Sequence, residues 1–168
     1  YTFWAFVPIL LKTYSDMYTK VQFNIPLLSF FIIGIGSISC VLGSYLAAKF
    51  GTKRTAFSLL LLSCICCLVS PLFFLVSNGT IFLLFLLFWG MVVIADSPLF
   101  STLVAQNAPE KDKGTALTIV NCIGFSVTIL SLQLVSAQYH STNSIFVYLL
   151  LAIGPVFGLL AIETKKRL

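Results

Sequence analysis

Ile81-Phe-Leu-Leu-Phe-Leu-Leu-Phe-Trp-Gly-Met-Val-Val-Ile-Ala-Asp96-Ser-Pro98-Leu-Phe-Ser-Thr-Leu-Val104 decides the fold class. Asp96 is the only charge in the run. As a helix at ~1.5 Å per residue it spans roughly 36 Å, more than the ~30 Å hydrocarbon core of a bilayer. A carboxylate near the middle of a spanning helix costs about 2.5–3.5 kcal/mol on insertion scales. The Ile, Phe and Leu residues of positions 81–88 return roughly 2.5–5 kcal/mol on the same scale. The helix inserts, and its charge turns to protein or water rather than to lipid. An ionisable group so placed is a functional-site candidate.

The rest of the chain agrees. Its 168 residues are 59% hydrophobic and only 9% charged, with a mean hydropathy of +1.05. A soluble domain carries about 25% charged residues. The expected class is therefore all-α, a polytopic membrane bundle in which backbone hydrogen bonds close within helices. The apolar runs place helices at about 1–11, 25–48, 55–76, 81–104, 115–137 and 144–162. All six form a single transmembrane bundle. The first run is short of the roughly 17–25 residues a span needs, and the chain begins at Tyr1 rather than Met. It reads as a helix whose start is missing. No signal peptide pattern is present.

The net charge is +5, but the positions carry the information. Lys49, Lys53, Arg54, Lys111, Lys113, Lys165, Lys166 and Arg167 fall on one side of the expected topology. Lys12 and Lys20 fall on the other. The positive-inside rule then puts the 49–54 loop, the 107–114 loop and the C-terminus in the cytoplasm. This is a multi-pass protein of the inner or plasma membrane, with the lipid bilayer as its first partner. The charge pattern is not a nucleic-acid footprint.

Several residues bear on chemistry. Pro98 cannot donate to the carbonyl of Ile94, so Asp96 sits beside a freed acceptor and a kink. That suits an ion or proton site; a carboxylate pairing with a neighbouring helix is the alternative. Thr118, Asn121 and Thr128 lie on one face of the fifth helix, with Ser131 beside it. They either bond between helices or line an aqueous path. Tyr1 and Trp4 belong to a cavity or to an aromatic belt. Gly36, Cys40, Ser44 and Ala48, at four-residue spacing with Gly34 and Gly43 nearby, read as a helix-packing stripe. Gly154 and Gly158 read likewise on the sixth helix. Cys40, Cys64, Cys66, Cys67 and Cys122 all fall inside apolar runs, as small packing residues rather than metal ligands or a disulfide framework. Asn78-Gly79-Thr80 is a turn. His140 lies in an outer loop. No catalytic constellation and no phosphate-binding loop is present, so no enzyme, cofactor or metal is expected.

The loop Ser44-Tyr-Leu-Ala-Ala48-Lys49-Phe-Gly51-Thr-Lys53-Arg54 resembles the G-x-x-x-D-R-x-G-R-R signature of the major facilitator superfamily. Lys49, Gly51, Lys53 and Arg54 fit it; Ser44 and Ala48 depart from it. Ala108-Pro109-Glu110-Lys-Asp-Lys113-Gly114 is similar to the family's loop between its fourth and fifth helices. The resemblance implies one six-helix half of a twelve-helix secondary transporter, with a small-molecule substrate at the midplane between halves. The eroded signature and basic tail favour the C-terminal half, whose partner is the missing N-terminal half. On this reading Asp96, Asn121, Thr118, Thr128 and Trp4 contact substrate or a coupling ion, a proton or another. Lys49, Gly51, Lys53 and Arg54 form a gating loop. A six-helix membrane scaffold without transport activity is the alternative.

Overall fold

The structure is a computed structural model that describes residues 2–18, 23–142 and 151–164. Among these lie six α-helices: α1 (Thr2–Met17), α2 (Ile25–Phe50), α3 (Thr52–Phe74), α4 (Gly79–Asn107), α5 (Lys113–Thr142) and α6 (Ile153–Thr164). A short 3-10 turn, Glu110–Asp112, precedes α5. Helices α2, α3, α4 and α5 are each long and apolar enough to cross a bilayer. The chain is an all-α, multi-pass membrane bundle. Tyr1, Lys20, the beginning of the sixth apolar run (residues 143–150) and the basic tail Lys165–Arg167 lie outside the described residues, as does the side chain of His140.

The helix ends follow from local chemistry. Asn24 caps α2 by accepting from the Leu27 N–H at 3.4 Å, with a proline in the first turn. Asn78 caps α4 through the Thr80 N–H at 3.1 Å, which is the structural use of the Asn-Gly-Thr turn. One residue, Gly51, joins α2 to α3 at φ 91°. That is the left-handed region which side chains resist. Helix α1 runs through Lys12 to Met17 rather than stopping at Leu11. Its buried face explains why. Phe3, Phe6, Val7, Leu10, Leu11 and Tyr14 keep the three-and-four spacing of one helix stripe, and Lys12 simply points outward. Helix α5 likewise continues past Ala137 to Thr142.

Helix α4 is the central element and packs most extensively on α2 and α3. The α2 contact row is Ser29, Ile32, Gly36, Ser39, Gly43 and Ala47, all buried. The four-residue stripe expected from the sequence is only partly right. Gly36 belongs to the contact, but Cys40 is half-buried, and Ser44 and Ala48 are exposed. Each four-residue step advances about 40° around a helix of 3.6 residues per turn, so a strict stripe of four rotates off the contact. Alternating threes and fours stay on it. A Cβ on Gly36 would overlap the Ile94 side chain, and one on Gly43 would lie 3.1 Å from the Ala95 carbonyl oxygen. Ser39 donates its hydroxyl to the Met91 carbonyl at 2.6 Å. On the α4 side, a Cβ on Gly90 would lie only 3.2 Å from the Ile32 carbonyl oxygen. Gly158 faces Leu60 at 2.7 Å from a built Cβ, while Gly154 has open space.

The two ends of the bundle are tied differently. At one end the Tyr14 hydroxyl donates to the Val76 carbonyl at 2.6 Å. Tyr18 donates to the Phe74 and Leu75 carbonyls at 3.2 and 3.1 Å. The Tyr14 ring stacks on Phe82 at 4.0 Å. At the other end a small cluster of Ala47, Ala56 and Leu99 joins the α2–α3 turn to the last turns of α4.

Candidate functional site

Prolines inside spanning helices release a carbonyl one turn back. Two of these carbonyls are taken up by neighbouring side chains. Pro71 of α3 frees Cys67, whose carbonyl accepts the Ser70 hydroxyl at 2.9 Å. Pro98 of α4 frees Ile94, whose carbonyl accepts the Cys40 thiol of α2 at 3.9 Å. The freed carbonyl beside Asp96 is thus turned to α2. The Asp96 side chain goes elsewhere.

Asp96 lines a cavity of about 640 Å³ bounded by α1, α3, α4, α5 and α6. That volume lies within the ~300–1,000 Å³ range of small-molecule sites. Its polar lining is sparse: Thr2 of α1, Ser63 of α3, Asp96 and Ser97 of α4, Thr128 and Ser131 of α5. Aromatic walls come from Phe3 and Trp4 of α1, Trp89 of α4 and Phe157 of α6. Phe3 and Trp89 meet at 4.5 Å between ring centroids, tilted by 49°. Trp89 is fully buried and rests on Phe85 at 5.5 Å. Asp96 is the only charged residue among the lining residues, and none of the described residues forms an ion pair with it.

The cavity brings together Asp96, Trp4 and Thr128 of the residues singled out in the sequence. Asn121 and Thr118 are exposed on α5 and lie outside the lining. They stand roughly 10 and 15 Å along the helix from Thr128 at ~1.5 Å per residue. The Thr118 and Thr128 hydroxyls both donate one turn back, to Gly114 and Gly124, at 2.9 Å. Ser63, Cys67, Trp89 and Phe157 join the site without having been singled out for it. Each reads in sequence as ordinary packing, and only the helix crossings turn it inward.

The loop at the α2–α3 turn is exposed at Lys49, Gly51, Lys53 and Arg54. The Lys49 ammonium lies 5.5 Å from the Phe50 ring centroid. The Thr55 hydroxyl donates to the Gly51 carbonyl at 3.0 Å, which fixes the start of α3.

Residues 1–132 match the family model described as Major Facilitator Superfamily. The chain belongs to the major facilitator superfamily. The match covers α1 to α4 and the part of α5 that carries Thr128. Searches of curated proteins and of solved structures return no match. Major facilitator proteins are membrane transporters of small solutes rather than enzymes, and this chain is a multi-pass membrane protein of that family.

Proposed function

We propose that this chain is the C-terminal half of a secondary transporter that moves a small solute by alternating access. The cavity between five helices, with a lone carboxylate in an apolar and aromatic wall, carries the reading. Asp96, Trp4 and Thr128 contact the solute or a coupling ion there. Asn121 and Thr118 extend the route along α5 towards its Lys113 end. The apolar faces of α2 and α5 remain exposed in this chain, including Phe30, Phe31, Val41 and Tyr45 on α2 and Ile123 and Phe125 on α5. They suit a second bundle, the N-terminal half, as well as lipid. The basic 49–54 loop braces the end of the bundle in the cytoplasm and biases the inward/outward equilibrium. Its pivot is Gly51, the one residue between α2 and α3.

Thiol accessibility in the intact protein tests this without knowing the solute. In a background lacking native cysteines, Ser97→Cys and Ser131→Cys should react with a small hydrophilic thiosulfonate. Ile123→Cys, on the apolar exterior of α5, should not. A bundle that only scaffolds a complex keeps both cavity positions dry, so unreactive Ser97→Cys and Ser131→Cys would remove the transport reading.

A further inference from the structure

We infer that the cavity takes a lipophilic cation, an ammonium or phosphonium centre carrying apolar or aromatic groups, with Asp96 as its counter-charge. This rests on the proposed reading of the cavity as the solute site. Three observations on the lining lead to that chemistry. The first is charge sign. Asp96 carries the only charge among the lining residues, with no Lys, Arg or His beside it. An anion would meet repulsion and no cationic side chain among the described lining residues. A guest cation supplies the partner that the described residues withhold, beside apolar walls whose low dielectric strengthens charge interactions.

The second observation is the hydrogen-bonding sense. The Thr128 hydroxyl spends its proton on the Gly124 carbonyl at 2.9 Å. It presents lone pairs, not a donor, to the cavity. With the Asp96 carboxylate it gives a guest two acceptors in an otherwise sparse polar lining, which suits N–H donors or a bare cation. A polyol needs many donors and acceptors in alternation, and the aliphatic wall of Leu60, Val93 and Leu134 offers none. The third is the aromatic wall. Trp4 and Phe157 line the same space as Asp96, backed by the buried rings of Phe3 and Trp89. The faces of such rings attract cations, Trp most strongly, and their bodies solvate the guest's apolar groups.

The test is equilibrium binding of radiolabelled tetraphenylphosphonium to the purified full-length protein in detergent. Tetraphenylborate, its anionic counterpart of similar size, and neutral triphenylphosphine oxide are measured alongside. Saturable phosphonium binding is expected, with the borate at least about tenfold weaker. Asp96→Asn should weaken phosphonium binding by about tenfold or more and leave the neutral probe unchanged, while Asp96→Glu should restore most of the loss. Thr128→Trp, which fills the cavity, should displace every probe that binds there. Absence of saturable phosphonium binding to the wild type overturns the inference, and so does equal phosphonium affinity in Asp96→Asn. If the borate or the neutral probe binds instead and Thr128→Trp displaces it, the cation chemistry falls while the cavity reading stands. If Thr128→Trp displaces nothing that binds, both fall.

Discussion

A lone acid in an apolar helix has two uses, and they predict opposite stability effects. A structural carboxylate holds a partner on another helix, and removing it leaves that partner buried and unpaired at about 1–3 kcal/mol. Asp96 has no such partner among the described residues, and it faces a cavity. Asp96→Asn and Asp96→Leu should therefore melt within about 1 kcal/mol of the wild type, with Leu no worse than Asn. A marked loss of melting temperature in Asp96→Leu, spared in Asp96→Asn, would show instead that Asp96 bonds a partner. Gly51 predicts the reverse. Its φ of 91° admits no Cβ without strain, so Gly51→Ala should cost about 1–3 kcal/mol. Melting of the purified protein reads that cost directly, and an unchanged melting temperature would mean the turn is not built as described. Asp96 and Gly51 were both legible in the sequence, because a charge in a run of Phe and Leu, and a glycine in a short basic loop, stand out from their surroundings. Trp89 and Ser63 were not. A Trp in such a run looks the same whether it faces lipid or a cavity, and helix crossings decide which.

Within the elements, the sequence shows which residues are small but not which way a helix is turned. Gly34 and Gly36 are two positions apart on α2, and both read as packing glycines. The structure separates them. A Cβ on Gly36 runs into the Ile94 side chain, whereas one on Gly34 meets nothing within 4 Å. Overpacking of this kind costs about 1–3 kcal/mol, while Gly→Ala at an open helical site gains about 0.5–1 kcal/mol. Gly36→Ala should thus lower the melting temperature and Gly34→Ala should leave it level or raise it. The contact predicts a rescue as well. Ile94→Val removes the Cδ1 atom that meets the new methyl, so the double variant Gly36→Ala/Ile94→Val should be more stable than the sum of the single changes. Additivity between them would mean that α2 and α4 do not meet at this pair. Proline is the second case where sequence reaches only part of the way. Pro98 guaranteed a freed Ile94 carbonyl, but the partner that donates to it, the Cys40 thiol of α2, depends on the crossing of two helices.

For the whole molecule, charge placement and packing give independent statements about the two ends. The tyrosine bonds tie the end of α1 to the end of α3, so residues near Met17 and Ser77 share one end of the bundle. The Ala47, Ala56 and Leu99 cluster ties the α2–α3 turn to the last turns of α4, so Lys53 and Lys111 share the other. The first statement comes from packing and needs no membrane. The positive-inside rule then predicts the side, with the Lys53 end expected in the cytoplasm. Cysteine labelling with a membrane-impermeant reagent, in intact cells and in a background without native cysteines, separates the two claims. Met17→Cys and Ser77→Cys should label from outside. They are better reporters than Asn78, whose side chain caps α4. Lys53→Cys and Lys111→Cys should label only after the membrane is opened. If the pattern is inverted as a block, the bundle is right and the orientation is wrong, because the charge rule has failed while each pair still moves together. If Met17 labels with Lys53 rather than with Ser77, the pairing itself fails. The Tyr14–Val76 bond would then be untenable, since a hydroxyl and a carbonyl 2.6 Å apart cannot belong to opposite faces of a membrane.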